Sequence, residues 1–264
     1  MKIVVCVKQV PDTKEVKLDP VTNTLIRDGV PSIINPDDKA GIELALQIKE
    51  TVAGSTVTVV SMGPPQAELA IREAMAMGCD DGILVSDRAF GGADTWATSS
   101  TIAGALRNLD YDIIIGGRQA IDGDTAQVGP QIAEHLGIPQ VTYCENLKVI
   151  DENTFEVTRQ FEDRCHIIEV KTPCMLTTLA EEIDPRYMTI GQIYNAYQKD
   201  IKVWGLKDIE ENLDVSNIGL KGSPTNVYRS FTKQAKGAGE KLTGLTPEEA
   251  ADAIVAKLQE KFLI

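Results

Sequence analysis

The sequence of 264 residues is poor in the side chains that build metal and cluster centres. Its five cysteines, Cys6, Cys79, Cys144, Cys165 and Cys174, include no C-x-x-C pair, and only His135 and His166 stand beside them. No zinc or cluster ligand set can be written from that inventory. An odd cysteine count, scattered and mostly inside apolar runs, reads as reduced thiols acting as small core hydrophobes in a reducing compartment, the cytoplasm. No apolar run approaches the roughly 20 residues of a membrane span. Ile3-Val4-Val5-Cys6-Val7 is already strand-like, so no signal peptide is expected ahead of the fold. Basic side chains are also short in supply, 26 against 39 acidic, for a formal charge of −13. Such a surface repels nucleic-acid phosphates and anionic membranes, which argues against both as partners. There is no G-x-G-x-x-G after the first strand and no Walker sequence, so neither standard phosphate motif is indicated. No catalytic triad or acid–base pair is legible either.

What is present is an alternation of strands and helices. Ile3–Val7, Val57–Ser61, Ile83–Val85 and Ile113–Ile115 are short, continuous and β-branched, the pattern of strands buried on both faces of a parallel sheet. Helical patterns separate them: Pro36–Thr51, Pro65–Met77, a helix opening at Asp94 as N-cap and ending near Leu109, and one ending at Gly137. This predicts a doubly wound, mostly parallel α/β fold of the Rossmann-like type, with ligands beyond the carboxyl ends of the strands. After Pro139, Phe155–Arg159 and His166–Val170 flank a turn at Glu162-Asp163 and predict an antiparallel hairpin. Cys174–Leu179 predicts a further buried strand. From Ala180 to about Gly239 the chain is polar and irregular, with little core signal. Asn217–Gly244 has the composition of an arm or linker. Thr246-Pro247-Glu248-Glu249 opens a terminal helix with an N-cap, a first-turn proline and a capping box. The division expected is an α/β domain over residues 1–215 and a C-terminal arm with its helix over residues 216–264.

One loop carries chemistry. Ile113-Ile114-Ile115 runs into Gly116-Gly117, and the segment from Arg118 to Pro130 then leads into a helix. A strand, a glycine-bearing loop and a helix start form an anion site from backbone alone, because free N–H groups converge there and the helix dipole favours negative charge. Thr125 adds a hydroxyl. Pro130 fits only the first helical turn, so the helix should begin between Thr125 and Gly129. Asp122 and Asp124 oppose this reading unless they face ribose hydroxyls, backbone N–H groups or water. An ordinary βα loop of turn residues has the same local composition, so loop chemistry alone leaves both readings open.

Several segments, in order, resemble the small (β) subunit of electron-transfer flavoprotein, in its electron-bifurcating, anaerobe-type form. They are Met1–Asp12 (MKIVVCVKQVPD), Asn35-Pro36, Val60-Ser61-Met62-Gly63-Pro64, Ala74–Asp80 (AMAMGCD), Gly117-Arg118-Gln119-Ala120-Ile121-Asp122, Thr158-Arg159 with Glu169–Pro173, and Asp184–Ile190 (DPRYMTI). The likeness spans residues 1 to about 205, and the tail matches weakly. It implies a heterodimer whose α subunit binds one FAD, on which the C-terminal arm of this chain packs. The β-subunit site holds AMP in ordinary members and a second FAD, reduced by NADH, in bifurcating ones. Carried over by position, the implied contacts are Cys6 through its backbone, Asn35, Pro36, Asp37, Asp38, Met62, and the run Asp122, Gly123, Asp124, Thr125, Ala126, Gln127, Val128, Gly129, Pro130, Gln131 and Ile132. Ordinary members carry a further carboxylate where Gly123 stands. Its absence, with Gln127-Val128-Gly129-Pro130, favours FAD over AMP. The resemblance then implies electron delivery from NADH to a low-potential acceptor, ferredoxin or flavodoxin. It also implies delivery through the α-subunit FAD to an acyl-CoA dehydrogenase.

Tyr187, Ile190, Ile193, Tyr194 and Tyr197 recur on one helical face. Such a stripe ordinarily packs on its own core. The resemblance makes it a docking segment for the acyl-CoA dehydrogenase, with Ile190 as the inserted side chain and Glu181, Glu182, Asp184, Arg186 and Lys199 as a polar rim. Two rivals stand beside the electron-carrier reading. Gly91-Gly92-Ala93-Asp94-Thr95 resembles the pyrophosphate loop of ATP-using adenylating enzymes, though it follows a late strand and lacks the leading serine. A stress-type nucleotide-binding module without redox work is the other.

Overall fold

The computed structural model describes residues 1–12, 31–228, 237 and 239–264. They form two compact units, Met1–Asn226 and Val227–Ile264. The first unit contains, in chain order, β1 (Lys2–Cys6), β2 (Gln9–Pro11), β3 (Ser32–Ile34), α1 (Pro36–Thr51), β4 (Thr56–Met62), α2 (Glu68–Met77), β5 (Asp81–Val85), α3 (Thr95–Leu106), β6 (Ile113–Gly117) and α4 (Val128–Leu136). It continues with β7 (Gln140–Asp151), β8 (Thr154–Gln160), β9 (Cys165–Lys171), β10 (Cys174–Thr178), α5 (Ile190–Gln198), β11 (Lys202–Trp204), and the single-turn helices α6 (Leu206–Ile209) and α7 (Gly219–Gly222).

Nine strands make one sheet in the order β11-β5-β4-β1-β6-β10-β7-β8-β9, and β2 and β3 pair separately. Pairing is parallel from β11 through β7 and antiparallel among β7, β8 and β9. The chain winds from β1 outward to β4 and β5, then returns to place β6 on the other side of β1. The order therefore reverses between β1 and β6, where a doubly wound sheet opens a crevice at its carboxyl edge.

Alternate residues of the central strands feed two cores. Ile3, Val5, Val57, Val59, Ile113 and Ile115 pack with Ile42, Leu46, Ile71 and Met75 of α1 and α2. Val4, Val60, Ile114 and Met175 pack with Ile102 and Leu106 of α3 and Ile132 of α4. Burial on both faces explains why these strands read as continuous rather than alternating apolar runs. The Asp94 carboxylate caps α3 by accepting from Ala97 N–H at 3.0 Å. Gly137 ends α4 at φ 67°, in the left-handed region that suits glycine.

Three parts of the first unit differ from the sequence expectation. β7 runs twelve residues, Gln140–Asp151, and turns the hairpin into a three-stranded antiparallel extension. The stretch after Ala180 is not irregular throughout: it contains α5 and the edge strand β11, and Ile183, Ala196 and Ile209 are buried. Three-residue strands and isolated apolar anchors carry too little periodicity to be legible. Residues 216–226 belong to the first unit, where Ile218 is buried, so this compact body extends past residue 215. Part of the expected linker, residues 229–236 and 238, lies outside the described residues. In the second unit, α8 (Pro247–Glu260) starts as anticipated: Thr246 and Glu249 exchange capping-box hydrogen bonds and Pro247 opens the first turn.

Arg186 ties the segment before α5 to α1. Its Nε donates to Glu43 Oε2 at 2.7 Å, its Nη2 to Glu43 Oε1 at 2.9 Å, and its Nη1 to Glu50 Oε1 at 2.6 Å. Burial alone would raise the Glu43 carboxyl, but the Arg186 bonds outweigh it and hold the group below its ordinary value of 4.5. Removing the guanidinium leaves a buried carboxylate without its partner. Arg186→Leu is expected to lower unfolding stability by about 2–3 kcal/mol at pH 7 in urea denaturation, reduced from the fully buried case because Arg186 is part-exposed. A depressed carboxyl stabilises above its unfolded pKa and loses that contribution as pH falls, so the difference from wild type should shrink below about pH 4.5. An undiminished difference at pH 3 would count against the pair.

Candidate functional site

The carboxyl ends of β1 and β6 and the start of α1 are joined by buried polar bonds. Asp38, in the first turn of α1, accepts from Lys8 N–H at 2.7 Å and from Gly117 N–H at 2.8 Å. Asp37 accepts from Ala180 N–H at 3.0 Å and lies 3.4 Å from Arg118 Nε. Asn35, fully buried, donates from Nδ2 to Gln119 C=O at 2.8 Å and accepts Ile121 N–H at 3.0 Å. These three side chains hold the backbone of the loop that follows β6. Gly117 is required here, because a Cβ on it would lie 2.3 Å from Asp38 Oδ1 and 2.7 Å from Asp38 N.

The loop beyond Ile121 is open. Asp122 points inward to an ion pair with Lys8 Nζ at 2.6 Å, its side chain 5% exposed. Lys8 thus offsets one of the two carboxylates that opposed an anion site. The other, Asp124, is exposed and accepts from Gln119 Nε2 at 2.9 Å. Asp124 and Ala126 both adopt φ 52°, flanking Thr125. Left-handed residues alternating with ordinary ones turn successive N–H groups toward one side, the geometry of an anion nest. Among the described residues, the N–H groups of Thr125, Ala126, Gln127, Val128 and Gly129 have no protein acceptor. Those of Val128 and Gly129 open α4, where helix geometry leaves them free. No atom lies within 4 Å of a Cβ placed on Gly123, so this residue leaves space beside the row.

The far side of the loop is anchored. Gln127 Oε1 accepts from Thr95 Oγ1 at 3.0 Å, at the start of α3, and Gln131 Oε1 accepts from Ser99 Oγ at 3.2 Å. Pro130 occupies the first turn of α4 and Ile132 is buried in the core. Gly129 brings α4 against β10, since a Cβ there would stand 2.7 Å from Thr177 Cγ2.

The structure therefore gathers Cys6, Asn35–Asp38 and Asp122–Ile132 at the β1/β6 switch point. Asn35, Asp37 and Asp38 position the loop with polar atoms already engaged by protein. Met62, at the end of β4 one strand away, is half-buried and packs against the α3-side core. Cys6 ends β1, and burial, with Asp38 adding, pushes its thiol up to about 12, so it stays protonated. Sequence reasoning missed Lys8, Thr95 and the use of Arg118. Each is brought in by contacts between distant segments, which local pattern does not report.

The stripe on α5 lies elsewhere, against α2. Tyr187 is 97% and Ile190 88% exposed, Tyr194 is exposed, and only Ala196 of this helix is buried. Packing of the stripe on its own core is excluded. Arg186 and Lys199 do not form a free rim: Arg186 is engaged by α1, and Lys199 Nζ donates to Asp80 C=O at 2.8 Å. Gly91–Thr95 caps α3 through Asp94, and Thr95 braces the Gln127 loop.

Taken together, these features define a doubly wound α/β protein with a row of backbone N–H groups free of protein acceptors at the switch point of its sheet. The chain matches the electron transfer flavoprotein domain over residues 22–209. It is 56% identical over 264 residues, 100% of both chains, to the electron transfer flavoprotein subunit beta of Clostridium acetobutylicum. It is 54% identical over 265 residues, again 100% of both, to the caffeyl-CoA reductase-Etf complex subunit CarD of Acetobacterium woodii. Identity to the acryloyl-CoA reductase electron transfer subunit gamma of Anaerotignum propionicum is 49% over 272 residues and 100% of both. The chain belongs to the electron transfer flavoprotein family, as a subunit of the beta type.

Asp38 gives the site a measurable pH dependence. Burial pushes its carboxyl from 3.8 up to about 7, against the bonds from Lys8, Asn35 and Gly117 and with the charge of Asp37. A raised folded pKa means a contribution fully present below the unfolded value and lost as pH rises through about 7. Between pH 4 and 7, wild type should lose stability relative to Asp38→Asn with a slope approaching about 1.4 kcal/mol per pH unit. A difference that stays flat in chemical denaturation across that window would show that Asp38 is ionised in the fold.

Proposed function

We propose that this chain holds FAD at the Thr125–Gly129 loop and serves as the nucleotide-bearing subunit of an NADH-dependent, electron-bifurcating flavoprotein. The observation that carries the reading is the row of free N–H groups at the switch point, with Asp122 neutralised by Lys8 and open space at Gly123. These residues fit a diphosphate: donors are in excess, and a part-buried ion pair offsets one of the two carboxylates. When bound, FAD would supply hydride acceptance from NADH and electron delivery to ferredoxin or flavodoxin and, through a second FAD in the α subunit, to an acyl-CoA dehydrogenase.

The protein's part is binding and placement. Asn35, Asp37 and Asp38 hold the loop backbone at fixed height over the sheet, and Thr95 and Ser99 hold its far side through Gln127 and Gln131. Thr125 adds a hydroxyl donor. The exposed patch of Tyr187, Ile190, Ile193 and Tyr194 is the proposed contact with the dehydrogenase, because a cluster of this size left in water marks an interface. The terminal unit with α8 is the proposed contact with the α subunit. The relatives named as parts of caffeyl-CoA and acryloyl-CoA reductase systems support such partners.

Cofactor stoichiometry tests the reading: the co-purified heterodimer is expected to release two FAD and no AMP. One FAD and one AMP would overturn bifurcation and leave a structural nucleotide at the loop. Lys8→Met should weaken nucleotide retention on this chain by about tenfold or more, since it frees the Asp122 charge beside the phosphate row. Replacing Ile190 with Ala should raise the KM for the dehydrogenase while leaving NADH oxidation with an artificial acceptor unchanged. Equal loss of both activities would move Ile190 out of the docking surface.

A further inference from the structure

Gly91-Gly92-Ala93-Asp94-Thr95, which resembles a pyrophosphate loop in sequence, is occupied by later residues of the chain itself. Leu220 N–H of α7 donates to Gly91 C=O at 3.0 Å. Gly219, at φ 59°, lies so close to the neighbouring loop that a Cβ on it would stand 2.1 Å from the Ala89 carbonyl oxygen. Gly92, at φ 73°, faces Leu220, and a Cβ there would stand 3.1 Å from Leu220 Cβ. Both positions need glycine for space and for backbone conformation. Ile218 anchors the segment in the α3-side core.

Beyond α7 the segment is held by Asp94. Asp94 N–H donates to Ser223 Oγ at 2.9 Å, and Ser223 Oγ donates to Gly219 C=O at 2.8 Å. Asp94 Oδ2 accepts Thr225 N–H at 2.9 Å, while Oδ1 caps α3 through Ala97 N–H at 3.0 Å. Pro224 fixes φ between the two held residues and adds no donor of its own. Burial alone would raise the Asp94 carboxyl, but the bonds from Ala97 and Thr225 outweigh it and hold the group below its ordinary value of 3.8. Both bonds are therefore charge-assisted at neutral pH. Pro224, Thr225 and Asn226 are exposed, and among the described residues Asp94 alone hydrogen-bonds to them. The second unit begins at Val227, directly after this clasp. A segment tied by so few bonds opens at low free-energy cost.

The same turn of α3 faces the loop that leads into α4. Thr95 Oγ1 donates to Gln127 Oε1 at 3.0 Å, and one turn further Ser99 Oγ donates to Gln131 Oε1 at 3.2 Å. Adjacent residues thus serve two ends: Asp94 holds the exit of the arm, and Thr95 holds the loop with the free N–H groups.

We propose that the Asp94 clasp is a conformational link that couples occupancy of the Thr125–Gly129 loop to the anchoring of the strap leading into the C-terminal unit. The inference rests on the loop holding a nucleotide. An occupied loop fixes Gln127, through it Thr95 and the first turn of α3, and so holds Asp94 in place for Ser223 and Thr225. An empty loop loosens the clasp. Coupling of this kind is reciprocal, so opening the clasp weakens the hold on the nucleotide.

Amide hydrogen exchange of this chain is read by mass spectrometry in the co-purified heterodimer, stripped of FAD and then refilled. FAD is expected to slow exchange at Ser223, Thr225 and Asn226 about fivefold or more in wild type. Thr95→Val, refilled to the same FAD content, should lose that slowing, and a slowing that survives in it overturns the link. Asp94→Asn keeps the α3 cap, but its amide nitrogen cannot accept Thr225 N–H. FAD held by this chain should leave Asp94→Asn about fivefold faster. Release at the wild-type rate overturns the coupling. Protection of Thr125–Gly129 by FAD with no change at Ser223–Asn226 also overturns it and leaves the loop reading standing. No protection at Thr125–Gly129 overturns the loop reading itself.

Discussion

The Asp38 carboxylate, buried between the ends of β1 and β6, is the constraint around which the site is arranged. It accepts Lys8 N–H from one strand exit and Gly117 N–H from the other, and so fixes the crevice where the winding of the sheet reverses. Asn35 and Asp37 extend the same clamp to Gln119, Ile121 and Ala180. Loops are ordinarily the variable part of a fold. Here the first half of the loop is tied to the core through Gly117, Gln119 and Ile121, and the stretch from Thr125 to Gly129 is left with a continuous run of unused backbone donors. The division between held and open backbone leaves donors at the switch point without a Walker or G-x-G-x-x-G sequence.

Charge organises the rest. An acidic chain does not attract phosphate at long range. On such a chain any phosphate would have to be met locally, by backbone N–H groups and a few placed cations. Lys8 is consumed in cancelling Asp122. Arg186 is consumed in joining the segment before α5 to α1. Arg118 faces Asp37 at 3.4 Å, and Arg159 lies against the Phe161 ring. The same logic separates the apolar surface. Ala196 and the Arg72 guanidinium, 5.1 Å from the Tyr197 ring, secure α5 on α2, while Tyr187 and Ile190 stay in water. A helix anchored by so small a buried face presents its large side chains outward.

Much of this architecture was legible in the residues. Continuous β-branched runs gave the parallel strands, Asp94 and Thr246 marked helix starts, and Pro130 placed the start of α4 within a few residues. These signals are local: steric preference, capping and hydrophobic period act over one or two turns, so a linear reading recovers them. The loop itself was found for the same reason, since a strand, glycines and a helix start are adjacent in the chain. β11 and the full length of β7 escaped because a short strand is stabilised by its neighbour more than by its own composition.

What only the tertiary structure decided is how each polar side chain is used. The sequence alone determined that Asn35, Asp37 and Asp38 stand at the start of a helix and that Asp122 follows a glycine-bearing strand. It contained nothing to say that the first three would be spent on backbone 30 to 143 residues away, or that Lys8 would cancel Asp122 across 114 residues. It marked the α5 stripe as apolar without deciding whether protein or water would meet it. The physical reason is common to all of these. Propensity and period are properties of neighbouring residues, whereas charge compensation, donor satisfaction and burial are properties of whatever the fold brings within a few ångströms.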